Sequence, residues 1–221
     1  MKRIALIVGA VAVLSLGYCV FLSNYSHRYR LTIEVQTPDG IKTASSVIQA
    51  SATSTTPILG TGLSTTFKGD ATFLDLGRGK NVVAVLARGD EAGQMAAPVI
   101  LAMEAFGVRN CTTYDMCDWQ AMQSMTGTRN LPDNLLPTLV TFSDPNNPRT
   151  AEVIKPNEFE TVFGPGYRFI GARIEMTRDP VTRNIEKILP WLKGFKGVTG
   201  GEFDLTWQHP GHNLYANHFT R

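Results

Sequence analysis

From Ile4 to Leu22 the chain reads IALIVGAVAVLSLGYCVFL, nineteen residues without a charge, and no other stretch limits the possible folds so sharply. As a helix this run rises about 28 Å, close to the hydrocarbon thickness of a bilayer. Lys2 and Arg3 precede it, and Tyr25, Arg28, Tyr29 and Arg30 follow it. A basic start and an aromatic, basic collar suit interfacial anchoring with the N-terminus on the cytoplasmic side.

Three readings of the run compete. It is a retained anchor, a cleaved signal with small residues at Ser15 and Gly17, or a lipoprotein signal acylated at Cys19. Bulky Tyr18 speaks against lipidation, and the continuation of the run past Gly17 speaks for retention. The expected organisation is therefore a transmembrane anchor or uncleaved signal over residues 1–26 and one exported globular domain over residues 27–221. A single-pass protein of this kind places the bulk of its chain on the periplasmic side of the inner membrane if its host is Gram-negative.

Of the 21 Lys and Arg, only Lys2 and Arg3 fall in residues 1–26, which contain no acid, so 19 basic side chains face 19 acidic ones in the remainder. This balance argues against a nucleic-acid surface, which needs clustered positive charge to displace counterions. Membrane lipid through the N-terminal helix and a protein partner in the envelope are the expected contacts. Cys111 and Cys117 are the thiols beyond the membrane run. In an oxidising compartment they form a disulfide candidate, with two buried thiols as the alternative.

Leu31 to Gln36 alternates apolar and polar residues and stops at Pro38-Asp39-Gly40; the β-branched Ile41 to Thr53 reads as the returning strand of a hairpin. The Ser/Thr-rich tract Ser51 to Thr66 reads as a long surface loop. Phe67 to Leu76 reads as one strand with a bulge at Gly69, followed by a turn at Gly77–Lys80 and a central strand at Asn81–Ala87. Pro98 to Gly107 fits a buried helix or a strand equally well. Asp118 to Met125 predicts a helix capped by Asp118. Leu131 to Pro137 is a loop, Thr138–Phe142 and Thr150–Lys155 are strands, Pro156–Phe163 starts as a short helix, and Tyr167–Thr177 alternates as a half-buried strand. Val181 to Leu192 predicts a terminal helix broken at Pro190. Six to eight strands with two or three short helices imply a mainly β or α+β fold, an antiparallel, sandwich-like domain.

The blocks Arg28–Val35, Pro38–Gly40, Ser45–Val47, Leu136–Phe142 with Asp144, and Phe163–Gly166 resemble a group of uncharacterised bacterial proteins with a membrane anchor and an exported domain. The resemblance spans most of residues 28–192 and carries no activity with it.

Candidate chemistry is sparse. His209, His212 and His218 place three imidazoles within ten residues, a set able to hold Zn²⁺ or Cu²⁺ if the tail folds back, although Pro210-Gly211 also describes a plain turn. No G-x-S-x-G elbow occurs. Asp144, Asn146 and Asn147 form a conceivable calcium loop, Arg88-Gly89-Asp90 spells an adhesive tripeptide, and Trp119, Trp191 and Trp207 are candidate stacking surfaces. No catalytic residue and no cofactor stands out. The leading expectation is a non-catalytic, membrane-anchored envelope protein with a protein-binding or assembly domain. The alternatives are an exported hydrolytic or metal-assisted enzyme and a small-molecule or glycan-binding module.

Overall fold

The computed structural model describes residues 24–54, 63–89, 92–94, 96–108, 116–195 and 214–221. The apolar run Ile4–Leu22 lies outside them, and among the described residues no helix is long and apolar enough to cross a membrane. In chain order the strands are β1 (Asn24–Thr37), β2 (Gly40–Ser54), β3 (Leu63–Lys68), β4 (Thr72–Gly77), β5 (Lys80–Arg88), β6 (Thr128–Asn130), β7 (Pro137–Phe142), β8 (Ala151–Ile154) and β9 (Arg168–Met176). They form two antiparallel sheets, ordered β3-β2-β1-β9-β6 and β4-β5-β7-β8. Among the described residues four short helices accompany them: α1 (Ala97–Phe106), α2 (Met116–Met122), α3 (Phe159–Phe163) and α4 (Ile185–Ile188). The protein is thus β-rich, as its alternating pattern predicts.

The first sheet is organised by period-2 burial. On β1 the odd positions His27, Tyr29, Leu31, Ile33 and Val35 are buried, and they sit opposite Ala50, Ile48, Ser46, Ala44 and Lys42 of β2. The other face carries Arg28, Arg30, Glu34 and Gln36 toward water, the division expected of a sheet covered on one side. The hairpin turns through Pro38-Asp39, with Thr37 opposite Gly40. The Thr37 hydroxyl accepts from the Asp39 N–H and donates to the Gly40 carbonyl. On β9 the register slips between the partners of Glu34 and Val35, which pair with Gly171 and Phe169. Ile170 is left over, so Phe169, Ala172 and Ile174 all remain buried.

Two expectations fail in one neighbourhood. Ser51–Thr66 is not a loop throughout: Ser51–Ser54 belongs to β2 and Leu63–Thr66 to β3, paired as Ser51 with Thr66 and Thr53 with Ser64. These hydroxyls occupy the solvent face of a genuine strand pair, which gives a strand the composition of a loop. Phe67–Leu76 is likewise not one bulged strand, because the chain leaves the first sheet after Lys68 and enters the second at Thr72. Gly69 makes the corner at φ +151°, where a Cβ would stand 3.1–3.2 Å from Ile48 and from the Val47 carbonyl oxygen. Glycine permits this close approach.

In the second sheet β5 and β7 are buried on both faces. One face meets the first sheet, where the Ser46 and Thr72 hydroxyls lie 2.6 Å apart and exchange a buried hydrogen bond. The other face is covered by the C-terminal part of the chain: Phe142 of β7 packs with Trp191 and Phe219 at centroid distances of 6.1 and 5.8 Å. The final residues pair with the corner itself, through Ala71 N–H to the Phe219 carbonyl and a reciprocal pair of bonds between Gly69 and Arg221.

The helices are secondary to this frame. Pro98–Gly107, ambiguous in sequence, is helical as α1, with Pro98 in its first turn and left-handed Gly107 at its C-terminal end. Helix α2 begins at Met116, so Asp118 lies within its first turn instead of capping it, and it stops at Met122. The expected helix over Val181–Leu192 is reduced to the single turn α4, followed by a 3-10 segment, Pro190–Phe195. Thr182 is tied to Val47 instead: its N–H donates to the Val47 carbonyl and its hydroxyl accepts from the Val47 N–H.

Candidate functional site

Open clefts mark the surface of the described residues. One, of about 490 Å³, lies beside β8 and is lined by Leu136, Pro137, Ile154 and Pro156 together with Arg88 and Thr138. Two of its polar side chains, Arg88 and Thr138, are committed to the fold, while Asp133, Asn134, Lys155 and Asn157 on its rim are exposed. Arg88 pairs with Glu104 at 2.6 Å and donates to Gln94, and the Thr138 hydroxyl donates to the Gly89 carbonyl.

The second cleft, of about 450 Å³, is built from three elements: Ser26-His27-Arg28 of β1, the segment Met122–Thr126 that leaves α2, and Met176-Thr177-Arg178 at the end of β9. It forms because β9 stops pairing at Met176, opposite Tyr29, while β1 continues back to Asn24. His27 points inward by the same parity that buries Tyr29 and Leu31. Met176 shares that face and lies diagonally from His27 across the pair. Helix α2 rests on β1. Trp119 and Met122, three residues apart, share its lower face.

The His27 imidazole is only 6 % exposed, and neither of its nitrogens has a hydrogen-bond partner. Its ring lies 5.3 Å from the Trp119 indole and 6.5 Å from the Tyr29 ring. Burial among these apolar groups pushes its pKa down to about 4, so the ring is neutral around pH 7 and keeps one free lone pair. Among the described residues that line the cleft there is no carboxylate. Among the described residues of the cleft no acid is therefore placed to orient His27 as the base of a nucleophilic triad. Arg28 is held on the opposite face of the sheet by Gln49 and by the carbonyls of Arg178 and Asp179.

The residues singled out by sequence fare differently. His209, His212 and Cys111 lie outside the described residues, as does the side chain of Cys117. His218 is buried at 1 % exposure; its Nδ1 accepts from the Tyr215 N–H at 3.3 Å and its Nε2 has no partner. Among the described residues no group of three His, Cys, Asp or Glu side chains is placed to hold a metal. Asp144 and Asn147 spend their side-chain oxygens on the turn, accepting from Asn146 and Arg149. Arg88 of the adhesive tripeptide is tied down by Glu104, and Asp90 lies outside the described residues. Trp119 is buried, and Trp191 packs in the C-terminal layer with its indole N–H on the Pro145 carbonyl, so neither offers an exposed stacking face. Trp207 lies outside the described residues.

Sequence reading passed over His27 by assigning it to the collar of the apolar run. The signal that points to it is its parity with the buried face of β1. The chain matches no protein-family model, no curated protein and no solved structure.

Proposed function

We propose that this protein is a non-catalytic envelope protein, tethered or exported through Ile4–Leu22, whose β-rich domain engages a protein partner at the membrane surface. The observation that supports this reading is the position of the His27 cleft. Ser26 follows Leu22 by four residues, no more than about 14 Å of extended chain. In a tethered protein the cleft accordingly opens within reach of the headgroup layer, while the Pro38-Asp39 turn points away from it at the far end of β1. The exposed rim residues Ser26, Gln123, Ser124 and Thr126 offer hydroxyl and amide groups to a partner. The resemblance to anchored bacterial proteins belongs to the same proposal.

The test is photo-crosslinking in intact cells from residues replaced by a photoreactive amino acid. Position 124, on the cleft rim, is expected to give one discrete adduct in the membrane fraction; position 78, beside Asp39 at the opposite end, is expected to give none. Recovery of the native protein in the soluble cytosolic fraction, or equal labelling from both positions, refutes the reading.

A further inference from the structure

The His27 cleft collects an unusual set of side chains. Three methionines, Met122, Met125 and Met176, line it together with His27, whose ring nitrogens are buried beneath it, and with Arg28 and Arg178, of which Arg28 turns its guanidinium to Gln49 and to the carbonyls of Arg178 and Asp179. Thioethers are neutral, soft donors that bind Zn²⁺, Mg²⁺ and Ca²⁺ poorly and favour d¹⁰ monovalent ions, and imidazole completes such a set without adding charge. A carboxylate would shift the preference toward divalent ions, and none lines the cleft among the described residues.

Packing alone accounts for methionines in an irregular gap. It does not account for a neighbouring imidazole that is buried and leaves both nitrogens unsatisfied, since buried polar groups in folded proteins are with few exceptions hydrogen-bonded. The other unsatisfied buried side-chain atoms among the described residues, on Tyr167, Asn217 and His218, do not line a cleft of this size. A ligand that wants lone pairs resolves the anomaly. The parity of β1, the turn that follows α2 and the end of β9 bring His27, Met122, Met125 and Met176 into the lining of one cleft from three separate elements.

We infer that the cleft binds a soft monovalent metal ion, Cu(I), through the imidazole of His27 and the thioethers of Met122, Met125 and Met176. The inference rests on the proposal that this cleft is a binding site, but not on the tether or on a protein partner. Trp119 lies against the His27 ring and serves as a built-in reporter, because a cation held there sits near the indole.

The experiment uses the full chain in detergent with Cys19, Cys111 and Cys117 replaced by Ser, so that thiolates cannot capture the probe. Ag(I), a redox-inert stand-in, and Cu(I) under anaerobic reducing conditions are titrated against a chromophoric competitor chelator. One equivalent is expected to bind with a change in Trp fluorescence, and X-ray absorption is expected to show sulfur and nitrogen scatterers around copper. Met125→Leu and Met176→Leu conserve volume and fold; each is expected to weaken binding tenfold or more, and His27→Phe is expected to abolish it. Zn(II) is expected not to compete. Three results overturn the inference: no binding above the chelator, binding unchanged in a natively folded Met125→Leu, Met176→Leu double variant, or Zn(II) bound as tightly as Ag(I). Because the titration is done on purified protein, it stands or falls separately from the crosslinking test.

Discussion

The carboxylate of Asp70 accepts a hydrogen bond from the Thr220 hydroxyl at 2.8 Å, across 150 residues of chain. Its other oxygen accepts from the backbone N–H groups of Asn184 and Ile185, at 2.5 and 3.0 Å. One buried side chain, 2 % exposed, thus ties the crossing between the two sheets to the start of α4 and to the C-terminal residues. Leaving buried donors without an acceptor costs about 1–3 kcal/mol each. Asp70→Ala is therefore expected to lower the stability by about 3–5 kcal/mol in urea unfolding followed by tryptophan fluorescence. A loss under 1 kcal/mol contradicts the central role given to this carboxylate.

This knot also explains which parts of the fold were legible. The β1–β2 hairpin can be read from its own residues, because alternation and Pro38-Asp39-Gly40 are local signals. So can β7, whose six residues are all buried. The corner at Gly69 cannot. Phe67, Ala71, Phe73 and Leu76 continue an apolar pattern through it, and the partners that bend the chain, Ile48, Phe219 and Arg221, are distant in sequence. The same holds for Thr182, which pairs with Val47 instead of entering a helix. The cleft was partly readable: the parity of β1 places His27 inside, but that parity has meaning only once the strand is known to extend back to Asn24.

Asn81 offers a second test, at the heart of the second sheet. Its side-chain amide donates to the Phe142 carbonyl at 2.7 Å and accepts from the Phe142 N–H at 3.0 Å, standing in for a backbone partner beyond the last β5–β7 ladder pair, Val83 with Val140. An apolar residue of similar size strands both Phe142 groups in the core. Asn81→Leu is expected to cost about 2–4 kcal/mol, and amide hydrogen exchange at Phe142 is expected to accelerate more than at Val140. Equal acceleration along β7 means that the amide stabilises the strand only globally.

The Arg88–Glu104 pair joins β5 to α1 with side chains only 13 % and 12 % exposed. Burying an ion pair brings little net gain, yet removing one member leaves the other charge with its desolvation cost uncompensated. Arg88→Met is expected to destabilise by about 2–3 kcal/mol, and adding Glu104→Leu is expected to recover most of that loss. A double variant no more stable than Arg88→Met contradicts the assignment. The cycle is read from urea midpoints at constant slope.

The buried imidazole of His218 makes stability depend on pH in a defined direction. Burial lowers its pKa from 6.5 to about 4, so the folded chain resists a proton that the unfolded chain accepts readily. The stability held by the neutral ring is complete above about pH 6.5 and declines as the pH falls, since the unfolded state then binds more protons. Below about pH 4 both states are protonated and the decline stops. A shift of this size corresponds to about 3 kcal/mol across that window. His218→Gln, which does not titrate, is expected to lose that much less stability than the unsubstituted protein between pH 7.5 and pH 4, measured by urea unfolding without added metal. His27 titrates alike in both proteins, so the difference isolates His218. Parallel stability curves for the two proteins sink the prediction, because they mean that the ring takes up its proton inside the fold at the same pH as in the unfolded chain.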